Sequence, residues 1–269
     1  MKSIQQTKDT ALITGGSSGI GLAFARELAA DGQNLVLVSR DDDLVDVARG
    51  LQAEFRVEVE TIHVDLSHEK DLKKVTKRIE SDKNPVDMVI NCAGFVLRES
   101  LIDGDLVRQH KAFAVMAEAV MVLSQTAAQV MRQRGSGQII NIASTSAWFY
   151  NGNYSALKRW VVVYTESLAL ELRGSGVSAT VVCPGETQTN FHARGGVTRS
   201  GPMWLWCTPD KIARAGLRAA AKGKSIVVPT VRWRLIAWTM HHFQGLARTV
   251  SRKTVTSRLK EIKQRDGHH

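Results

Sequence analysis

Residues 10–21 read Thr10-Ala11-Leu12-Ile13-Thr14-Gly15-Gly16-Ser17-Ser18-Gly19-Ile20-Gly21, an apolar, β-rich run that passes through a glycine-rich turn into a helical pattern. The following helix repeats Ile20, Phe24 and Leu28 on one face and stops at Asp31-Gly32. Glycines in such a turn admit positive φ and let the backbone approach a ligand closely. The helix N-terminus beyond them offers unpaired N–H groups and the positive end of a dipole. Strand, glycine turn and helix in this order form a cradle for a pyrophosphate; a purely structural tight turn is the alternative. The spacing is T-G-x-x-x-G-I-G, which differs from the dinucleotide fingerprint G-x-G-x-x-G.

The same alternation continues outward. Further strand-like runs lie at Asn34–Val38, Val57–Val64, Val86–Asn91, Gln138–Ala143, Ser178–Cys183 and Ser225–Pro229. Several are unbroken apolar runs, as strands covered on both faces require. Helical spacing falls between them, around Leu51, at Leu72, Val75 and Ile79, and at Ile212 and Leu217. This β-α-β pattern predicts an α/β protein, a doubly wound parallel sheet of about seven strands with right-handed crossovers and helices on both faces. Residues 1–230 read as one such domain, without internal repeats or linkers, and residues 231–269 as a basic C-terminal amphipathic helix and tail.

Composition bounds the function. A chain of 269 residues with 43% hydrophobic content can bury one sizeable core and is short for two. The net charge of +10 raises nucleic acid as a partner, but residues 231–269 hold nine Lys/Arg against Glu261 and Asp266, so the first 230 residues keep only +3. The basic character belongs to the tail, no recognition motif accompanies it, and no nucleic-acid partner is expected. Cys92, Cys183 and Cys207 are widely spaced and show no metal-ligand pattern. They read as reduced thiols of a cytoplasmic protein, and no metal is expected. Met1–Thr10 is polar and unlike a signal peptide, and no apolar run approaches the length that spans a bilayer.

Four further motifs stand in order, each at a predicted strand end: Asn91-Cys92-Ala93-Gly94; Ser144 after Ile139-Ile140-Asn141-Ile142-Ala143; Tyr154-x-x-x-Lys158; and Pro184-Gly185-Glu186-Thr187-Gln188-Thr189. With the glycine loop they resemble the short-chain dehydrogenase/reductase family over roughly residues 8–230. The resemblance implies a Rossmann-like sheet, a nicotinamide cofactor, hydride exchange with a small-molecule carbonyl or alcohol, and Ser144, Tyr154 and Lys158 as catalytic residues. It implies cofactor contacts at Gly15, Ser17, Ser18, Gly19, Ile20 and Gly21, at Asp65 and Leu66 after the third strand, and at Asn91, Ala93 and Gly94. Tyr154 and Lys158, then Pro184, Gly185, Thr187 and Thr189, complete that set. The family's habit also implies a homodimer or homotetramer formed through the helices around Phe113–Met131 and Tyr154–Leu172.

Cofactor choice is readable at the second strand. An NAD site places a carboxylate at this strand end to accept from the ribose hydroxyls. Here Ser39 stands there and Arg40 follows, and a guanidinium matches phosphate geometry, so Arg40 is the candidate for a 2′-phosphate and NADP(H) the expected cofactor. A merely solvated arginine is the alternative. Asp41–Asp43 fit an N-cap and first helical turn.

Tyr154 and Lys158 are four residues apart, hence on one helix face. A free phenol ionises near pH 10, and a lysine cation beside it lowers that value. Tyr154 then donates the proton in reduction, with Ser144 hydrogen-bonded to the substrate oxygen. Two features depart from the family. The Ser144–Tyr154 interval is about three residues short, so Thr145–Asn153 must be tight. The family's relay asparagine aligns with Met116, which cannot donate. Either the relay was dispensable or catalysis is vestigial, and a non-catalytic NADP(H)-binding regulatory or scaffold protein is the alternative function.

Two segments stay open. Asn190–Pro209, with Gly195-Gly196 and Met203-Trp204-Leu205-Trp206, fits either a lid over an apolar, lipid- or steroid-like ketone or 3-oxoacyl group, or tryptophans packed on the body. Trp233, Ile236, Met240, Phe243, Ala247 and Val250 form one apolar stripe on a helix. The stripe packs on the body or a second subunit, or lies on an anionic membrane as a peripheral contact through residues 231–269.

Overall fold

A computed structural model describes residues 9–97, 99–188 and 203–266, with side chains to residue 257. Seven strands run in parallel: β1 Thr10–Thr14, β2 Asn34–Ser39, β3 Val59–His63, β4 Val86–Asn91, β5 Gly137–Ile142, β6 Val177–Val182 and β7 Ile226–Val227. Their order is β3-β2-β1-β4-β5-β6-β7. The expected fold is therefore the observed one, a doubly wound Rossmann-like sheet. The chain reverses its winding direction between β1 and β4, and ligands of such sheets bind at the carboxyl ends of the strands beside that switch point.

Neighbouring residues on each strand face opposite layers. Leu12, Val36, Val38, Val89 and Ile139 join one core. It packs against α3 Glu69–Ile79, α5 Ala119–Arg134 and part of α6 Asn153–Glu171. Ala11, Ile13, Leu35, Leu37, Ile90 and Ile140 join the other. It packs beneath α1 Gly19–Ala30, α2 Leu44–Phe55 and α7 Pro209–Ala220. Apolar residues on both faces explain the unbroken runs in the sequence. α1 ends at the anticipated Asp31-Gly32, where Gly32 takes a φ of +81°. At the start of α2, Asp43 is the N-cap residue, but Asp41 turns back to accept from the Ser17 hydroxyl at 2.7 Å.

The helices differ from the sequence reading in two places. α4 Leu106–Phe113 continues through a π-helical turn, Ala114–Glu118, into α5. This run, Leu106–Arg134, is long and apolar enough to cross a membrane by length and composition, which corrects the expectation that no apolar run approaches that length. Just over half of its most apolar window is buried within the fold, as a core helix requires. The C-terminal stripe is also not one helix. Phe243, with φ −110° and ψ 70°, separates α8 Val231–His242 from α9 Gln244–Asp266. Along the stripe Met240 and Ala247 are buried, whereas Phe243 and Val250 are exposed.

Candidate active site

The carboxyl ends of β1, β4, β5 and β6 open onto a cleft of about 700 Å³. At its β1 side, Gly15 and Gly19 take φ values of +67° and +57°, which an L side chain resists. A Cβ on Gly15 would also press on the Ala93 backbone at 3.1 Å, so the turn and the β4 end are in close contact. Gly15, Ser18, Gly19 and Ile20 line the cleft, with the N-terminus of α1 aimed into it. Ser39, Arg40, Asp65, Leu66, Ala93, Gly94, Pro184, Gly185 and Thr187 line it as well. These surfaces have the shape and donor chemistry to take a dinucleotide, bare backbone for the phosphates and Arg40 at the outer lip.

Three expected contacts do not line the cleft. Ser17 is buried, its hydroxyl bonded to Ser39 Oγ at 3.0 Å and to Asp41, so it braces the loop against the β2 end. Gly21 faces the loop's own backbone, where a Cβ would collide with the Gly15 carbonyl. Asn91 points into the sheet: its Nδ2 donates to Ser124 Oγ at 3.0 Å and Asn141 Oδ1 at 2.9 Å, and Asn141 in turn donates to Thr165. That buried chain ties β4 and β5 to α5 and α6, because amides in a core need partners. Thr189 and most of the anticipated lid, Asn190–Pro202, lie outside the described residues.

At the outer lip, Arg40 Nη1 lies 3.5 Å and Lys111 Nζ 2.7 Å from Asp65 Oδ2. Burial opposes ionisation of Asp65, but hydrogen bonds from Lys111 and Ser67 outweigh it and hold the carboxyl well below its usual range. Two cations thus share one carboxylate beside the end of β2, with Asp41 also lining the cleft there.

Ser144 and Tyr154 meet in the cleft's centre through a side-chain hydrogen bond. The short connection works because Thr145–Trp148 coils into a 3₁₀ turn, with Ser144 Oγ accepting from the Ser146 N–H at 3.1 Å. Burial, with Glu186 nearby, pushes the Tyr154 phenol above its ordinary value of 10, and the Ser144 bond offsets part of this. Lys158 stands one turn on, its Nζ 5.8 Å from the Tyr154 ring centre and donating to the Ile142 carbonyl at 2.9 Å. Burial lowers Lys158 to about 8. Met116 is fully buried in the π-helical turn, where a Cβ on Gly94 would meet its Sδ at 3.4 Å and Lys158 Nζ at 3.9 Å. Of the two nearby asparagines, Asn151 lines the cleft while Asn153 is bonded to Gln109.

The chain matches the short-chain dehydrogenase family model over residues 9–197. It belongs to the short-chain dehydrogenase family. The ketoacyl reductase HetN of Nostoc sp. is 32% identical over 218 residues, 79% of this chain and 75% of that protein. A short-chain dehydrogenase from Sphingobium yanoikuyae in complex with NADPH superposes with a TM-score of 0.79 at 29% identity, covering 88% of this chain and 95% of that one. A bulky-bulky ketone specific alcohol dehydrogenase from Comamonas testosteroni gives 0.76 at 27% identity, covering 89% and 95%. The protein is an oxidoreductase of this family.

Several cleft residues carried no sequence signal. Phe95, Val115 and Lys111 enter from separate segments and Thr254 comes from α9, joined in the cleft by Glu186 of the Pro184–Thr189 motif and Trp206 of the tryptophan knot. Met203 and Trp204 of the tryptophan knot are exposed, while Trp206 faces the cleft. Trp233 of α8 fills the space over Gly185 and donates its Nε1–H to the Leu205 carbonyl at 2.8 Å. Cys92, at the β4 end, also lines the cleft; burial raises its thiol to about 12, so it is a poor nucleophile.

Proposed function

We propose that this dehydrogenase is an NADP(H)-dependent reductase of apolar ketones or 3-oxoacyl groups, working through Ser144, Tyr154 and Lys158. The observation that carries the reading is their convergence: the Ser144–Tyr154 hydrogen bond and the Lys158 ammonium open onto the cleft that also holds the glycine turn. When bound, the nicotinamide supplies the hydride. Gly15, Ser18, Gly19 and Ile20 would hold the pyrophosphate, Arg40 with Lys111 a 2′-phosphate, and Lys158 the nicotinamide ribose. Ser144 donates to the substrate oxygen, and Tyr154 gives it a proton as the carbonyl carbon is reduced. The Tyr154 phenol, raised by burial, is protonated at neutrality and so is in the form that donates.

Apolar substrates fit the far end of the cleft, where Phe95, Leu97, Val115 and Trp206 present carbon surface. The names of two relatives, a ketoacyl reductase and a bulky-ketone alcohol dehydrogenase, point the same way. A second copy of the chain would cover Phe113, Trp160, Val163 and Leu170, exposed on the helical run through α5 and on α6. Free thiols fit a reducing, cytoplasmic setting, and the C-terminal helices fit a peripheral membrane contact. Relatives named as dehydrogenases and reductases lend nothing to the non-catalytic alternative. The test is an NADPH-consumption screen over bulky apolar ketones and 3-oxoacyl thioesters, with Tyr154→Phe as control. Turnover that depends on Tyr154 supports the reading; NADPH binding without turnover of any member sinks it.

A further inference from the structure

Residues 211–260 contain twelve Lys/Arg and no Asp or Glu. Within that stretch the structure exposes an apolar surface. Val231, Leu235 and Trp238 share one face of α8, three and four residues apart, and all are more than half exposed. Phe243, Leu246 and Val250 repeat the pattern into α9 and are exposed too. The Trp238 and Phe243 rings meet edge to face at 6.4 Å, so the two faces join across the break. Arg232, Arg234, Arg248, Arg252 and Lys253 are all exposed on the same two helices. The exposed apolar face of α6 differs: Glu166 and Glu171 accompany Arg159 and Arg173 there, a mixed pattern suited to a second copy.

The inner side of α9 belongs to the cleft. Ala247 and Ser251 are buried, Ser251 Oγ accepts from the Tyr150 N–H at 2.8 Å, and Arg248 lies over the Tyr150 ring at 5.5 Å. Thr254 lines the cleft itself. One helix therefore has a catalytic side and a basic, apolar outer side.

We propose that the outer face of α8–α9 docks on an anionic lipid surface, with α9 as the element between that surface and the cleft mouth. Aromatic and aliphatic side chains enter the headgroup boundary while the flanking cations meet lipid phosphates; residues 211–260 supply no carboxylate against them, and Glu166 of α6, which shares a groove with Arg234 and Trp238, has Arg159 beside it there. The docked cleft then opens beside a membrane-dissolved ketone, a refinement that rests on the reductase reading above.

The experiment is co-sedimentation of the full-length protein with vesicles of phosphatidylcholine alone or mixed with phosphatidylglycerol. Binding is expected only to the mixture and is lost at high salt. Arg234→Gln/Arg252→Gln/Lys253→Gln should weaken partitioning on the order of 100-fold, since each cation near such a surface contributes about fivefold. Trp238→Ser/Phe243→Ser/Leu246→Ser should abolish it. None of these residues lines the cleft, so NADPH consumption with a water-soluble ketone stays unchanged and is scored separately. Vesicle binding without turnover overturns the reductase reading and leaves docking standing. Equal binding to neutral vesicles, or none to anionic ones, overturns the proposal. Wild-type indifference to vesicles, with loss of a multimer in the apolar variant by light scattering, assigns the face to a second copy and overturns it too.

Discussion

The two ends of the cleft are built differently. The cofactor end is local: the glycine turn, the β2 end and the β4 end each supply backbone within a few residues of a strand, and β1 lies between β2 and β4. The substrate end is assembled from Phe95, Val115, Trp206 and Thr254, which are scattered over 160 positions of the chain. Local construction leaves a motif in the sequence, and assembled construction leaves none. The cofactor end should accordingly respond to substitution in a sharp, cofactor-specific way, and the substrate end in a graded way.

Tyr154→Phe lies where the ends meet and should show the largest effect, a fall in kcat of about 10²–10⁴-fold with NADPH binding retained. Fluorescence titration of the nucleotide beside steady-state rates checks both halves. Retained turnover would break the proton-donor assignment. Arg40→Ala should weaken NADPH roughly 10- to 100-fold and leave NADH nearly unchanged, as loss of a charge-assisted hydrogen bond implies. An unchanged ratio of the two Kd values would return Arg40 to the solvated surface.

The pH profile tests the centre. Lys158 is protonated below its folded value of about 8, which burial has depressed from 10.5. Its cation is present at neutrality and is lost as pH rises, so kcat for reduction should fall with a midpoint near pH 8. A rate flat to about pH 10 would show that the bound state holds Lys158 charged.

Met116→Asn should raise turnover several-fold if proton supply through Lys158 limits the reaction. No change means that another route serves. The smallest effect is expected at the assembled end. Ser251→Ala removes the acceptor of the Tyr150 N–H, a loss of about 1 kcal/mol, and should raise KM for bulky ketones roughly fivefold while sparing KM for NADPH. An equal rise in both would erase the distinction between the two ends.

Much of this protein was legible before folding. Several strand runs are unbroken and apolar because both sheet faces are covered, and glycine is favoured where φ is positive and backbones approach closely, so Gly15 and Gly19 announce the turn. The Tyr154–Lys158 spacing is set by helix geometry alone. Other features depend on separations that no spacing encodes. Ser17 and Asn91 sit in motifs but turn away from the cleft, because a buried hydroxyl and a buried amide take whichever partners the packed layers bring near, here Ser39 and Asn141. Lys111 finds Asp65 across 46 positions, and Ser251 reaches Tyr150 across 101. The break at Phe243 is invisible in a continuous apolar stripe, and so is the division of that stripe into buried Met240 and Ala247 and exposed Phe243 and Val250. The sequence alone determined the sheet, the glycine turn and the Tyr154–Lys158 spacing, since these follow from backbone sterics and helical periodicity. Only the tertiary structure decided what closes the substrate end, because that wall exists only once distant segments have packed together.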